Sequence, residues 1–442
     1  MVNIRKEQQI TDGYLHQLIQ DDSLGRNNDI SSFIQFIDGL DGGASIFIDG
    51  DWGSGKTLFV RQIARLLQIG NNPNGQELTE DEKADAELIL DDLQLDTTFL
   101  PVYFNAWEHD TYDTPLLSLL GEMVDEVGVA EFGKIEPSNE DKFVTLLDAV
   151  LKPLRLDVAH HLKSGFTAKD LLVDLKERKL IQNRIQDLIN GLLGAGSGKL
   201  ILFIDELDRC SPKYAVQMLE QIKFLFTLDN VLIIFSTNVT QLTHTVKSFY
   251  GSGYNGYQYL SRFYDELYEL RTVKPSHFLS THNSDDNTGY IYKIFAEIGD
   301  ASKLALRDCI QYQNDFRVIK RAAQLVHDDV SAQLIVIGFA PAIFSLKITG
   351  EEEHKKVMSG EGVQELIDLA MLSPSFQRFS SKCMDQMNRN IRIDADRFLT
   401  YQDYLNCVYD EFFRDDYDHD SRPHMFRWAN IEDTKKALFG IG

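Results

Sequence analysis

The stretch FIDGDWGSGKTLFV, Phe47 to Val60, contains Gly50, four intervening residues, then Gly55, Lys56 and Thr57. It matches the G-x-x-x-x-G-K-[ST] pattern, in which each position has a separate physical task. The glycines, with Asp51, Trp52 and Ser54 between them, let backbone N–H groups converge on phosphate oxygens. Lys56 brings a point charge to the β and γ phosphates, Thr57 offers a hydroxyl to Mg2+, and the helix that begins through Leu58 adds its partial positive charge. Context agrees with the pattern. ASIFIDG (Ala44 to Gly50) reads as a short buried strand, and Leu58, Phe59, Val60, Ile63, Leu66 and Leu67 recur at helical spacing before Gly70. A second Gly-Lys pair, in GLLGAGSGKLILFIDELD from Gly191, is followed by Leu200 and leads into a strand. It reads as a turn.

Working outward, the chain has 442 residues, 43% hydrophobic and 25% charged, enough for two or three ordinary globular domains. Lys and Arg number 44 against 68 Asp and Glu, a net charge of -24. That excess disfavours phosphate-backbone binding over the whole surface, so nucleic acid is not indicated as a partner. Cys210, Cys309, Cys383 and Cys407 show no C-x-x-C pairing, which fits a reducing cytoplasm. The start MVNIRKEQQI lacks the apolar core of a signal peptide. The longest apolar run, Leu334 to Leu346, is too short to cross a bilayer and reads as a buried helix or helix pair.

Residues 1–43 read as helices and a turn. A capping box, Thr79 with Glu82, opens an acidic helix. Further strands are predicted at Thr97 to Trp107, Lys199 to Asp205, Asn230 to Thr237 and Leu267 to Val273, with a helical insertion at about 111–198. Strands alternating with helices predict an α/β core with a parallel sheet covered on both faces. This core is expected over 1–275, and a mainly helical C-terminal region over 290–442, the polar stretch Pro275 to Gly289 marking the boundary.

A phosphate loop holds a nucleotide; hydrolysis needs more. LILFIDELD ends an apolar strand on Asp205, placed to hold Mg2+, with Glu206 beside it as the water-activating base and Asp208 as an alternative. An acidic helix cap explains DELD alone equally well; the strand before it favours the catalytic reading. IIFSTN brings Ser236, Thr237 and Asn238 to the next strand's end. Asn238, with Thr237 second, is the candidate that senses the γ phosphate, although a strand-ending turn uses the same residues. Phosphoryl transfer also calls for an arginine. Arg262, in YLSRFYDELYEL, and Arg317, which shares a helical stripe with Lys320 and Arg321, are the candidates, and a solvated helix face explains each as well.

Together GDWGSGKT, FNAW (Phe104 to Trp107), LILFIDELDRCSPKYAVQMLEQIKFLF from Leu200, YLSRFYD and FRVIKRAAQL resemble the KAP family of P-loop NTPases, over Asp22 to about Leu346. The resemblance implies a P-loop ATPase with a helical insertion between its two Walker motifs and a helical region after the core. It implies ATP and Mg2+ as cofactors, and places Gly25 and Arg26 by the adenine. Family members include prokaryotic proteins linked to phage exclusion and membrane-associated animal proteins. This chain lacks transmembrane helices in the insertion and has Glu206 where the family often has Asp. Asn105 and Trp107 match the family motif without an assigned chemistry, Trp107 reading as packing.

The tail FFRDDYDHDSRPH (Phe412 to His424) reads as a solvated acidic loop in preference to a metal site. Arg414 and His419 fit the R-x4-H spacing of helical ribonucleases, a short pattern that recurs by accident. The expected function is therefore an Mg2+-dependent ATPase coupling nucleotide state to conformational change or assembly, with a protein partner or self-association. The competing readings are a non-hydrolysing nucleotide-gated binding module and a small-molecule phosphotransferase.

Overall fold

The computed structural model describes residues 10–71, 77–111, 114–116, 118–123, 198–282, 289–326, 329–390, 400–414 and 431–440, with isolated residues between 182 and 193. Two compact units are formed, Met1–Asp22 with Arg26–Arg271, and Ser23–Gly25 with Thr272–Gly442.

In the first unit five strands, β1 (Ala44–Asp49), β2 (Thr98–Asn105), β3 (Gly198–Asp205), β4 (Val231–Thr237) and β5 (Glu266–Glu269), form a parallel sheet in the order β2-β3-β4-β1-β5. Side-chain alternation assigns the two faces. Phe47, Leu202, Ile204, Ile233 and Phe235 pack with Met218 and Leu219 of helix Pro212–Ile222 and with Leu242 of helix Val239–Tyr250. Their neighbours Ile46, Ile48, Phe203, Leu232 and Ile234 pack with Phe33 and Ile37 of helix Asn27–Asp38 and Phe59 and Ile63 of helix Lys56–Gly70. Strands buried on both faces explain the near-continuous apolar runs that make them recognisable.

The fifth strand is shorter than the predicted Leu267–Val273. It lies at the sheet edge, and after Glu269 only Leu270 N–H still reaches β1, donating to Asp49 O at 2.9 Å. The next carbonyl, that of Arg271, turns to accept from Arg26. The capping box is present, Glu82 N–H donating to Thr79 Oγ1 and Thr79 N–H to Glu82. Behind it Asp85, fully buried on the same helix, accepts from Gln20 and Arg65 and contacts His16, tying three helices together. The helical insertion expected at 111–198 falls largely on residues outside the described set; residues 118–123 are helical.

Every element of the second unit, among the described residues, is helical. The apolar run Leu334 to Leu346 belongs to one continuous helical stretch, Val330–Thr349, because Asp329 caps its start by accepting from the Ser331 and Ala332 N–H groups. By length and composition this helix could cross a membrane, a correction to the shorter span read from sequence, yet 72% of its apolar window is buried inside the protein. Pro341 lacks an N–H, and the backbone widens into a π turn over Leu334–Phe339 just before it. At Gly338 a Cβ would meet Phe376 Cε2 at 2.9 Å, so the helix Pro374–Asn390 approaches where only glycine leaves room.

Burial of Glu411, on helix Tyr401–Phe413, and the charge of Asp329 push its carboxyl up to about 8. Because the folded value lies above that of a free carboxylate, about 4.3, the protonated group favours the folded state. That contribution is complete below about pH 4 and is lost as pH rises through about 8. Thermal unfolding followed from pH 6 to 9 is expected to show a fall in stability that Glu411→Gln reduces by about 1–3 kcal/mol. Equal slopes in both proteins would contradict this.

Candidate functional site

In a parallel sheet, ligands bind beyond the carboxyl ends of the strands, where loops from neighbouring strands converge. Here β1, β3 and β4 end on Asp49, Asp205 and Thr237, and β4 sits between the other two. The loop after β1 carries Gly50 to Gly55. Gly53 and Gly55 adopt φ of 78° and 88°, a left-handed backbone that glycine alone takes without strain. At Gly50 a Cβ would come 2.9 Å from Ser54 Oγ. Ser54 Oγ is buried without a hydrogen-bond partner.

Lys56 opens the following helix, with Thr57 and Leu58 in its first turn. Its ammonium, 8% exposed, donates to the carbonyls of Gly50 at 2.6 Å and Asp51 at 3.2 Å. Burial lowers its pKa, opposed by the charges of Asp208, Asp205 and Asp49. The buried ammonium is thus held by two loop carbonyls, with the charges of three acids favouring its charged form.

Asp205 is buried, with Oδ2 accepting from the Tyr103 hydroxyl at 2.9 Å and Oδ1 from Glu206 N–H at 2.9 Å. Arg61 lies 4.1 Å above the Tyr103 ring, so a chain Arg61–Tyr103–Asp205 orients this carboxylate. Opposite Asp205 in register stands Ser236, whose buried Oγ has no hydrogen-bond partner. Glu206 takes φ of 60°, a left-handed conformation costing about 1–2 kcal/mol for a residue with a side chain. Its Oε1 lies 3.1 Å from Arg209 Nη1, and the Arg209 guanidinium lies 5.6 Å from the Trp107 ring. Trp107 is half-exposed, a correction to its reading as packing. Asn105 shapes the turn before it, accepting from Trp107 N–H and donating to Glu108.

Asn238 caps the helix after β4 by accepting from Gln241 N–H, and its amide nitrogen lies 3.4 Å from Asp51 Oδ1 in the loop. Thr237 donates to Asp208 Oδ1 at 3.1 Å. The structure therefore brings Lys56, Asp51, Trp52, Asp205, Asp208, Thr237 and Asn238 together around one loop.

Arg26, 2% exposed, places its guanidinium beneath the loop, donating to Ser54 O at 2.9 Å, Gly55 O at 3.2 Å and Arg271 O at 2.6 Å. Its Nη1 and Nη2 donate to backbone while the buried Nε has no partner, so the guanidinium supports the loop's shape. Burial lowers its pKa to about 10, opposed by Asp29. Gly25 belongs to the other unit, at φ 63° against the ring of His277. Arg262 is exposed next to Phe263, whose carbonyl bonds Ser45 at the amino end of β1. It thus stands toward the amino end of the strands, opposite the loop at their carboxyl ends. Arg317 is exposed on helix Leu306–Leu325 of the second unit and donates to Asn314 on the same helix. His419 of the R-x4-H pattern lies outside the described residues.

Tyr103 and the buttressing role of Arg26 are absent from the sequence reading. No motif marks either one. Only the register Asn105 opposite Asp205, known once β2 and β3 are paired, brings Tyr103 toward the acid.

The KAP family P-loop domain matches residues 26–265, more than half of the chain. The chain belongs to the KAP family of P-loop NTPases. This KAP protein has no match among curated proteins. Among solved structures, the Aeropyrum pernix ORC1 protein in complex with DNA is similar at 13% identity and a TM-score of 0.28, covering 89% of this chain and 92% of that one. The fold assignment therefore rests on the strand order and the family match, which make this a nucleotide-binding protein. The left-handed glycines, the confined space at Gly50 and the unpartnered Ser54 Oγ fit a triphosphate held by main-chain N–H groups. The buried Asp205 beside the orphaned Ser236 Oγ fits a hydrated divalent cation.

Proposed function

We propose that this KAP protein hydrolyses ATP and couples nucleotide state to a conformational or assembly change. The carrying observation is Lys56 buried in a glycine cradle after β1, with Asp205 and Glu206 at the tip of β3, across β4 from it. In this reading Lys56 exchanges its two carbonyl partners for β- and γ-phosphate oxygens, and Asn238 orients water. Glu206 takes the water's proton after leaving Arg209. Thr57 and Asp205 would hold Mg2+, which neutralises charge on the phosphates when bound. An arginine supplied from another copy is part of the same proposal, since Arg262 is exposed and remote from its own loop. A role in phage defence in the cytoplasm is also proposed, and it is supported by the family resemblance alone.

Phosphate release from ATP with Mg2+ is expected in the wild type and is expected to vanish in Lys56→Ala. Wild-type release no greater than that of Lys56→Ala would reject the proposal. A second reading, a nucleotide-gated binding module without turnover, draws support from the Glu206–Arg209 pair, which engages the carboxylate of the base. Intact ATP recovered after long incubation, together with nucleotide-dependent association, would select it.

A further inference from the structure

Asp208 stands on the turn Leu207–Arg209 just beyond β3, and it is 7% exposed. Both of its oxygens are engaged. Oδ2 accepts from Trp52 Nε1–H at 2.5 Å, and Oδ1 accepts from the Thr237 hydroxyl at 3.1 Å. One carboxylate thus joins the phosphate loop to the tips of β3 and β4. Trp52 itself is 51% exposed, so packing alone does not fix its ring. A half-exposed indole that gives its single polar atom to a buried acid is held chiefly by that bond. Trp52 also sits between Asp51, which faces Asn238, and Gly53, whose left-handed turn shapes the cradle. Fixing Trp52 therefore fixes the middle of the loop.

We propose that Asp208 is a positioning residue that anchors the phosphate loop through Trp52 and sets affinity for the triphosphate, and that it is not the base that activates water. The inference rests on the nucleotide-site reading above. A base must present an oxygen to water, whereas Asp208 already accepts from a loop donor and a strand donor and faces the protein interior. Preorganising the loop lowers the cost of ordering it around phosphate, an effect that belongs to binding. Removing the anchor then weakens binding and leaves the chemical step nearly intact.

The test measures Kd for ATP with Mg2+ by titration, and kcat by phosphate release, in Asp208→Ala, Trp52→Phe and the double variant. Loss of one charge-assisted hydrogen bond weakens affinity by about 10- to 100-fold. Asp208→Ala and Trp52→Phe are both expected to show this weakening, with kcat within about 3-fold of wild type and the double variant no weaker than Asp208→Ala alone. A kcat loss of about 100-fold in Asp208→Ala with affinity retained would mark it as the base and overturn the proposal. So would additive effects, or unchanged affinity in Trp52→Phe. Trp52→Phe alters a half-exposed ring, so it decides the matter even where Asp208→Ala fails to fold. A wild type that binds ATP without turnover would defeat the hydrolase reading alone, because the Kd comparison still tests the anchor.

Discussion

Glu206→Gln is expected to bind ATP with Mg2+ at close to wild-type affinity and to release phosphate about 10²- to 10⁴-fold more slowly, the range lost when a positioned proton acceptor is removed. The amide keeps the volume of the carboxylate and can still face Arg209, so the loop and the buried Asp205 are left as they are. Only the proton acceptor disappears. The backbone supplies an independent check. Glu206 holds φ of 60°, and Glu206→Gly removes the side chain that makes this conformation costly. The glycine variant is therefore expected to match or exceed wild-type stability by up to about 1 kcal/mol while losing turnover. A site whose catalytic residue is strained and whose glycine variant is no less stable has kept that strain for function. Phosphate release and thermal unfolding of the two variants check both halves. Normal turnover in Glu206→Gln would remove Glu206 from the chemistry.

Arg26→Ala is expected to be the most damaging change outside the phosphate loop itself. The guanidinium is buried and shared among the carbonyls of Ser54, Gly55 and Arg271, so its loss strips three acceptors at once beneath the cradle. Hydrogen bonds to a charged donor contribute roughly 1.5–3 kcal/mol each and are not additive, which puts the loss of stability at about 3–5 kcal/mol. Arg26→Lys is expected to rescue little, because an ammonium lacks the planar fork that reaches three carbonyls. Denaturant unfolding gives the stability, and titration with ATP and Mg2+ gives the accompanying loss of affinity. An Arg26→Lys protein indistinguishable from wild type would contradict the buttress.

How much of this was legible in the sequence follows from how local each signal is. The loop Gly50 to Thr57 reads directly because its residues are contiguous and each has a separate task. The strands β1, β3 and β4 read from continuous apolar runs, since burial on both faces leaves no polar alternation to confuse them. The edge strand β5, with a partly exposed surface, is less legible, and its predicted span runs past the observed end. Arg26 is legible as a residue of the site, while its bonds to the carbonyls of Ser54, Gly55 and Arg271 are not, because a carbonyl partner leaves no trace in sequence. Asp208 was visible only as a spare carboxylate beside Glu206. Its bonds to Trp52 and Thr237 span separations of 156 and 29 residues and exist only once β4 has been laid between β1 and β3. The start of helix Val330–Thr349 is not legible from the apolar run, because its capping residue, Asp329, lies outside that run.

The central claim is that one cradle, closed by Lys56, holds the triphosphate. Calorimetric titration of the folded chain with ATP and Mg2+, run beside Lys56→Ala, tests it most directly. The account predicts saturable binding in the wild type and affinity at least about 100-fold weaker in the variant, the loss that follows when a buried charge contact of about 3 kcal/mol is removed. Equal binding in the two proteins, or none in a folded wild type, would contradict it.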